Sequence, residues 1–204
     1  MILKVGLTGG LASGKSTVAA RLRENGIPVL DADLIVHDLY REGSEGARAV
    51  AEAFGPEFLT EGGSVDRPKL SAHVFHDPPS LARLNVLIHP LVRAAQAKWF
   101  GDLETKGEAL GVIEATLLVE TGGRRRFDVL VTVSAPADMR LKRAIRRSGE
   151  TDPNDFVKRM SAQFSDAARE EVADIVIRTE GTKEELLEKV DALAIELRAI
   201  AGKR

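Results

Sequence analysis

The sequence predicts an α/β fold: a five-stranded parallel sheet flanked by helices, with a helical insertion and a lid. Three observations predict it. Residues 9–17 read Gly-Gly-Leu-Ala-Ser-Gly-Lys-Ser-Thr, a G-x-x-x-x-G-K-S loop between a strand-like and a helix-like run. Short, nearly continuous runs of Val, Ile and Leu recur at 2–7, 27–31, 110–115, 128–134 and 174–178, as expected of strands buried on both faces of a parallel sheet. The stretch 34–107 is too long for one crossover helix and too patterned for a loop, so it reads as a mainly helical insertion.

Taken in order, Ile2–Leu7 is the first strand, and Thr17-Val-Ala-Ala-Arg-Leu-Arg opens the first helix. Together with the glycine loop they make a P-loop of the NTPase type. Backbone N–H groups and a helix dipole there form an anion cradle. Gly10, Leu11, Ala12, Ser13, Gly14, Lys15, Ser16 and Thr17 are its expected nucleotide contacts. Lys15 is expected to reach the β/γ-phosphates of ATP, and the Ser16 hydroxyl to ligate Mg²⁺. Gly26 closes the first helix, and Ile27–Asp31 forms the second strand.

Asp31 and Asp33 sit at the carboxyl end of that strand, where open α/β sheets bind ligands. On a continuing strand they point to opposite sides. Asp33 is expected to be the catalytic base and Asp31 its support; the competing reading is helix N-capping. In the insertion, Leu81, Leu84, Ile88, Leu91, Val92 and Ala95 fall at helical spacing, with Pro90 expected to cap or kink the helix. His73 and His76 lack a third ligand and do not argue for metal.

Glu114 ends the third apolar run, where a carboxylate could hold Mg²⁺ through water, and Glu120 follows it. Arg140, Arg143 and Arg147 share one face of a helix starting after Ala135-Pro136. That helix leads into Ser148-Gly-Glu-Thr-Asp-Pro153, expected to form a lid over the triphosphate at about 140–160. Arg124-Arg125-Arg126 reads as a solvated loop. Leu186, Leu187, Val190, Leu193, Leu197 and Ile200 mark a C-terminal amphipathic helix packed on the sheet. The expected domains are 1–33 with 108–204 as nucleotide-binding core, and 34–107 as the acceptor-binding insertion.

Composition narrows the function. A chain of 204 residues supports one substantial core with a small appended subdomain. A net charge of −2 gives no electrostatic case for nucleic acid or an anionic membrane. With no cysteine there is no disulfide, thiolate metal site or thiol nucleophile. No apolar run approaches the roughly 20 residues that span a bilayer, and the N-terminus lacks signal-peptide order. A cytoplasmic monomer is expected.

The motifs together resemble the dephospho-coenzyme A kinase family over nearly the whole chain. The matching pieces are Leu7-Thr8-Gly9-Gly10 with Ser13-Gly14-Lys15-Ser16-Thr17, Asp31-Ala32-Asp33, Asp66-Arg67, His89-Pro90, Leu117-Leu118 with Glu120, Arg143 and Arg147, Gln163, and Ala173-Asp174. The resemblance implies ATP-Mg²⁺ as donor and the ribose 3′-hydroxyl of dephospho-coenzyme A as acceptor. It implies Asp33 as base, Lys15, Arg143 and Arg147 in catalysis, and Arg140 on the nucleotide. It implies Thr8, Asp31, Asp33, His89 and Glu120 as substrate-binding positions. The chain departs from the family pattern at Glu114-Ala-Thr-Leu-Leu118 (for Asp-x-Pro-Leu-Leu), Arg140 (Gln), Arg169 (Lys) and Thr179 (Asn). Two rivals share the cradle. A nucleoside or nucleotide kinase is one. A GTP-dependent switch is the other, and it lacks Asn-Lys-x-Asp and a following Asp-x-x-Gly here.

Overall fold

A computed structural model describes residues 1–148, 152, 156–157, 160 and 163–204, with the side chains of 147 and 148 excepted. Five strands, β1 (Leu3–Gly9), β2 (Val29–Asp31), β3 (Leu110–Glu114), β4 (Val129–Ser134) and β5 (Ile175–Arg178), form one sheet in the order β2-β3-β1-β4-β5. The pairings β1/β3, β1/β4 and β4/β5 are parallel, with Leu7 opposite both Glu114 and Val131. Non-consecutive neighbours require crossovers, which the helices supply. β3 and β4 are buried at every position, which is why they read as unbroken apolar runs.

The chain forms two compact units, Met1–Leu30 with Asp102–Arg204, and Asp31–Gly101. In the first, α1 (Lys15–Glu24) and the C-terminal helix α8 (Lys183–Ala201) cover the sheet. Val18, Leu22, Val190, Leu193 and Leu197 join Leu3, Val5, Leu7, Val112, Val131 and Val133 in an all-aliphatic core. A full capping box starts α8, between Thr182 and Glu185. The 124–126 cluster is a 3₁₀ turn (Gly123–Arg126), and Arg124 is pinned to Val172 O, Phe127 O and Asp174. Of that cluster only Arg125 and Arg126 are exposed.

The second unit is helical: α2 (Ala32–Leu39), α3 (Glu45–Phe54), α4 (Arg67–Phe75) and most of α5 (Pro78–Thr105). Asp66 starts α4 by accepting from Lys69 N–H, which accounts for the Asp-Arg pair. Phe58, Val50, Val65, Leu70, Val74 and Ile88 fill its core, with the His73 ring 5.0 Å from that of Phe58. His73 is exposed, and its ring also lies 6.1 Å from that of Phe54. Pro90 neither caps nor ends α5, whose 28 residues run through it. Ile88 before it, and Leu91 and Val92 after it, pack on one core, and this burial holds the helix together despite the missing N–H. No helix among the described residues is long and apolar enough to cross a membrane.

Candidate active site

β1 delivers the chain to the loop at Gly9, and α1 begins at Lys15. Gly14 turns the corner with φ of 100°, a left-handed conformation glycine adopts without strain. Its carbonyl accepts from Thr17 and Val18 N–H. No side chain caps α1, and no acidic residue lies in its first turn. The helix therefore presents bare N–H groups and an unopposed dipole, the conditions for binding an anion.

Two functional side chains of α1 converge on one carboxylate. Lys15 Nζ lies 2.7 Å from Glu114 Oε1, and Ser16 Oγ donates to the same oxygen at 3.3 Å. Arg23 Nη2 stands 3.8 Å from Glu114 Oε2. Glu114, at the end of β3, is only 3% exposed, so this charge depends on its cationic partners. A hydroxyl beside a carboxylate is the hard-oxygen donor set that suits Mg²⁺, which keeps most of its waters. Among the described residues no group of three or more His, Cys, Asp or Glu could form a metal cage.

Thr8, fully buried, donates to Thr116 O at 3.2 Å and ties β1 to the segment after Glu114. Arg143, on α6 (Ala137–Ser148), donates from Nη1 to Ser13 O at 3.2 Å and to Thr179 Oγ1 at 2.8 Å. Thr179 Oγ1 itself donates to Ser13 O at 2.7 Å. Arg140 Nε donates to Leu11 O, and its guanidinium stands where a Cβ on Gly10 would be, with Cζ 2.6 Å from that point. Only glycine fits there. The Arg147 side chain, and residues 149–151, 153–155 and 158–159 of the segment expected as a lid, lie outside the described residues.

Glu120 Oε1 accepts from Arg169 Nη2 at 2.7 Å and from Phe164 N–H at 3.0 Å. In the other unit, the strand stops at Asp31 rather than continuing. Asp31 Oδ1 accepts from Asp33 N–H at 2.8 Å and caps α2, so Asp31 has the N-cap role and Asp33 stands exposed on the first helical turn. His89 is half-buried within α5. Sequence reasoning gave no role to Asp166 or Arg169 of α7 (Asp166–Val172), whose partners Arg140 and Glu120 lie 26 and 49 positions away.

The family model for dephospho-CoA kinase matches residues 3–185. The chain belongs to the dephospho-CoA kinase family. A dephospho-CoA kinase from Leifsonia xyli subsp. xyli is 42% identical over 195 residues, covering 95% of this chain and 98% of that relative. A Thermus thermophilus protein of known crystal structure superposes with a TM-score of 0.82 at 33% identity, covering 96% of this chain and 98% of that one. Dephospho-CoA kinase from Campylobacter jejuni shares the fold at a TM-score of 0.67 and 20% identity, covering 95% and 96% of the two chains.

Proposed function

We propose that the protein transfers the γ-phosphoryl group of ATP to the ribose 3′-hydroxyl of dephospho-coenzyme A, giving coenzyme A and ADP. The observation that carries this reading is the convergence of Lys15 and Ser16 on Glu114, below an uncapped helix start, in a chain of this family. The amides at the start of α1 grip the donor phosphates. Lys15 leaves Glu114 to neutralise charge on the transferred group. Ser16, with Glu114 through water, would hold Mg²⁺, which supplies charge neutralisation on the phosphates when bound. Arg143 and Arg147 serve the triphosphate side.

Residues 31–101 take the acceptor, with Asp31 and His89 on its side. Asp33 accepts the proton of the 3′-hydroxyl as the O3′–Pγ bond forms and the bond from Pγ to the ADP oxygen breaks. The protein works as a cytoplasmic monomer without nucleic acid or membrane.

Incubation with Mg-ATP and dephospho-coenzyme A should yield coenzyme A, detected by mass. Nucleosides offered in place of that acceptor should stay unmodified. Phosphorylation of a nucleoside alone would transfer the reading to the rival small-molecule kinase. Asp33→Asn should lower turnover about 10²–10⁴-fold while ATP binding holds, the range for lost general-base assistance. Wild-type turnover in that variant would remove Asp33 as base.

A further inference from the structure

Both backbone polar groups of Leu11, in the middle of the loop, are held by side chains from far along the chain. Its N–H donates to Gln163 Oε1 at 3.1 Å, and its carbonyl accepts from Arg140 Nε at 2.7 Å. The next residue, Ala12, has φ of 59° and is the one non-glycine with positive φ among the described residues. An L-residue is disfavoured there because Cβ crowds the following carbonyl. Such a conformation persists only where the surroundings over-determine it.

The two side chains that hold Leu11 are themselves held. Arg140 Nη1 donates to Asp166 Oδ2 at 2.7 Å, and Asp166 Oδ1 accepts from Arg169 Nη1 at 3.2 Å. Arg169 Nη2 donates to Glu120 Oε1 at 2.7 Å and approaches Gln163 Oε1 at 3.4 Å. Two arginines and two carboxylates thus cancel in formal charge around one neutral amide. The side chains of Arg140 and Arg169 are 3% and 1% exposed.

Stability alone accounts poorly for this arrangement. Two buried arginines paired with carboxylates that are 12% and 27% exposed are worth little more than, and often less than, an apolar cluster of the same volume. The network is also incompletely satisfied: Glu120 Oε2 and Arg169 Nε are buried with no hydrogen-bond partner among the described residues. A partly satisfied network is a poor stabiliser. It can, however, present one acceptor and one donor at fixed points in space, which an apolar cluster cannot. Those two points orient the successive peptide planes on either side of Leu11. The direction of the amides that follow, which must converge on phosphate, is set from there.

We propose that Gln163, Asp166, Arg169 and Glu120, together with Arg140, are positioning residues that keep the phosphate loop in its binding shape through Leu11. Glu120 and Arg140 then act on the nucleotide through the loop and touch neither substrate. The inference rests on the kinase reading only for the identity of the donor.

The test is titration calorimetry of Mg-ADP into the full chain, wild type and four variants, with steady-state kinetics alongside. Gln163→Leu and Arg169→Met should weaken Mg-ADP binding about 5- to 50-fold, the scale of a buried hydrogen bond lost and its partner left unpaired. Gln163→Glu keeps an acceptor, and Arg169→Lys keeps a cation. Gln163→Glu should stay within about 3-fold of wild type, since its bond to the Leu11 N–H becomes charge-assisted, and Arg169→Lys, which loses the planar fork, should fall between wild type and Arg169→Met. The KM for ATP should rise in the damaging variants while that for the acceptor holds. Wild-type affinity in folded Gln163→Leu would overturn the proposal. So would equal loss in the conservative variants, or a joint rise of both KM values. Should Arg169→Met fail to fold, Gln163→Leu decides alone, being an uncharged change at a half-buried position. A wild type that binds Mg-ADP but makes no coenzyme A would defeat the acceptor assignment and leave this proposal standing.

Discussion

At the head of the loop, Lys15 and Ser16 share one oxygen of Glu114. At its shoulder, Leu11 is wrapped by Arg140 and Gln163, backed by Asp166, Arg169 and Glu120. Both clusters join cations to carboxylates, yet they differ in what they leave available. The Lys15 side chain keeps 13% of its surface in solvent, and its ammonium is a point charge free to re-aim. The Arg169 side chain keeps 1%, and its planar fork is committed to fixed partners. On the proposed reading, the first cluster exchanges a carboxylate for a phosphate. The second is built not to change. A phosphate loop needs both, because a donor can be gripped tightly only by amides that do not reorient on binding.

The comparison breaks most sharply at Lys15. Lys15→Ala should cut kcat about 10²–10³-fold, the scale of one lost electrostatic stabiliser, with the melting temperature nearly unchanged. A variant that turned over normally would mean that the head does not exchange partners. Glu114→Gln should come next. It should weaken the Mg²⁺ dependence of turnover about 10- to 100-fold, as removal of outer-sphere metal partners does. An unaltered Mg²⁺ titration would leave Glu114 as a mere counter-ion to Lys15.

Smaller again is the effect of the shoulder on the strained residue beside it. Ala12→Gly removes a left-handed strain of about 1–2 kcal/mol but adds unfolded-state entropy of about 0.4–1 kcal/mol. Unfolding free energy by denaturant titration should therefore rise slightly or stay level. A clear fall would show that Ala12 is not strained.

The smallest effect is expected at a third ion pair, used as a surface control. Asp191 accepts from Arg21 Nε and Nη2 and from Asn25 at 2.7 Å each, joining α8 to α1. The hydrogen bond from Arg21, then that from Asn25, lowers its pKa from 3.8 to about 2. A carboxylate lowered on folding stabilises above its unfolded value. Its contribution should be full at neutral pH and disappear as pH falls from 3.8 to about 2. Asp191→Asn should lower the melting temperature a little at pH 7 and not at all near pH 2. Added salt should shrink the difference, since the pair is exposed. A pH-independent effect would show packing rather than charge.

Much of the fold was legible because its signals are local. Each strand run in the sequence contains or overlaps an observed strand, and the signal is plainest in β3 and β4, which are buried at every position. Gly14, Lys15 and Ser16 were legible because their spacing is dictated by phosphate geometry. Pro90 does not cap α5, because burial on both sides of it outweighs one lost hydrogen bond. At Asp31 the competing N-cap reading holds: its side chain caps the helix that starts at Ala32.

What the sequence by itself determined is the sheet, the anion cradle and the family, because all three rest on residues adjacent in the chain or on whole-length similarity. Tertiary structure alone decided the state of the charged groups. Arg140 and Arg143 share a helix face, but burial directs one to Leu11 and Asp166 and the other to Ser13 and Thr179. Arg124 looked solvated and is pinned, while Arg169 carried no local signal and is among the most buried side chains of the protein. A charge is defined by what faces it across space, and the groups facing Arg140 and Arg143 stand 26 to 130 positions away along the chain.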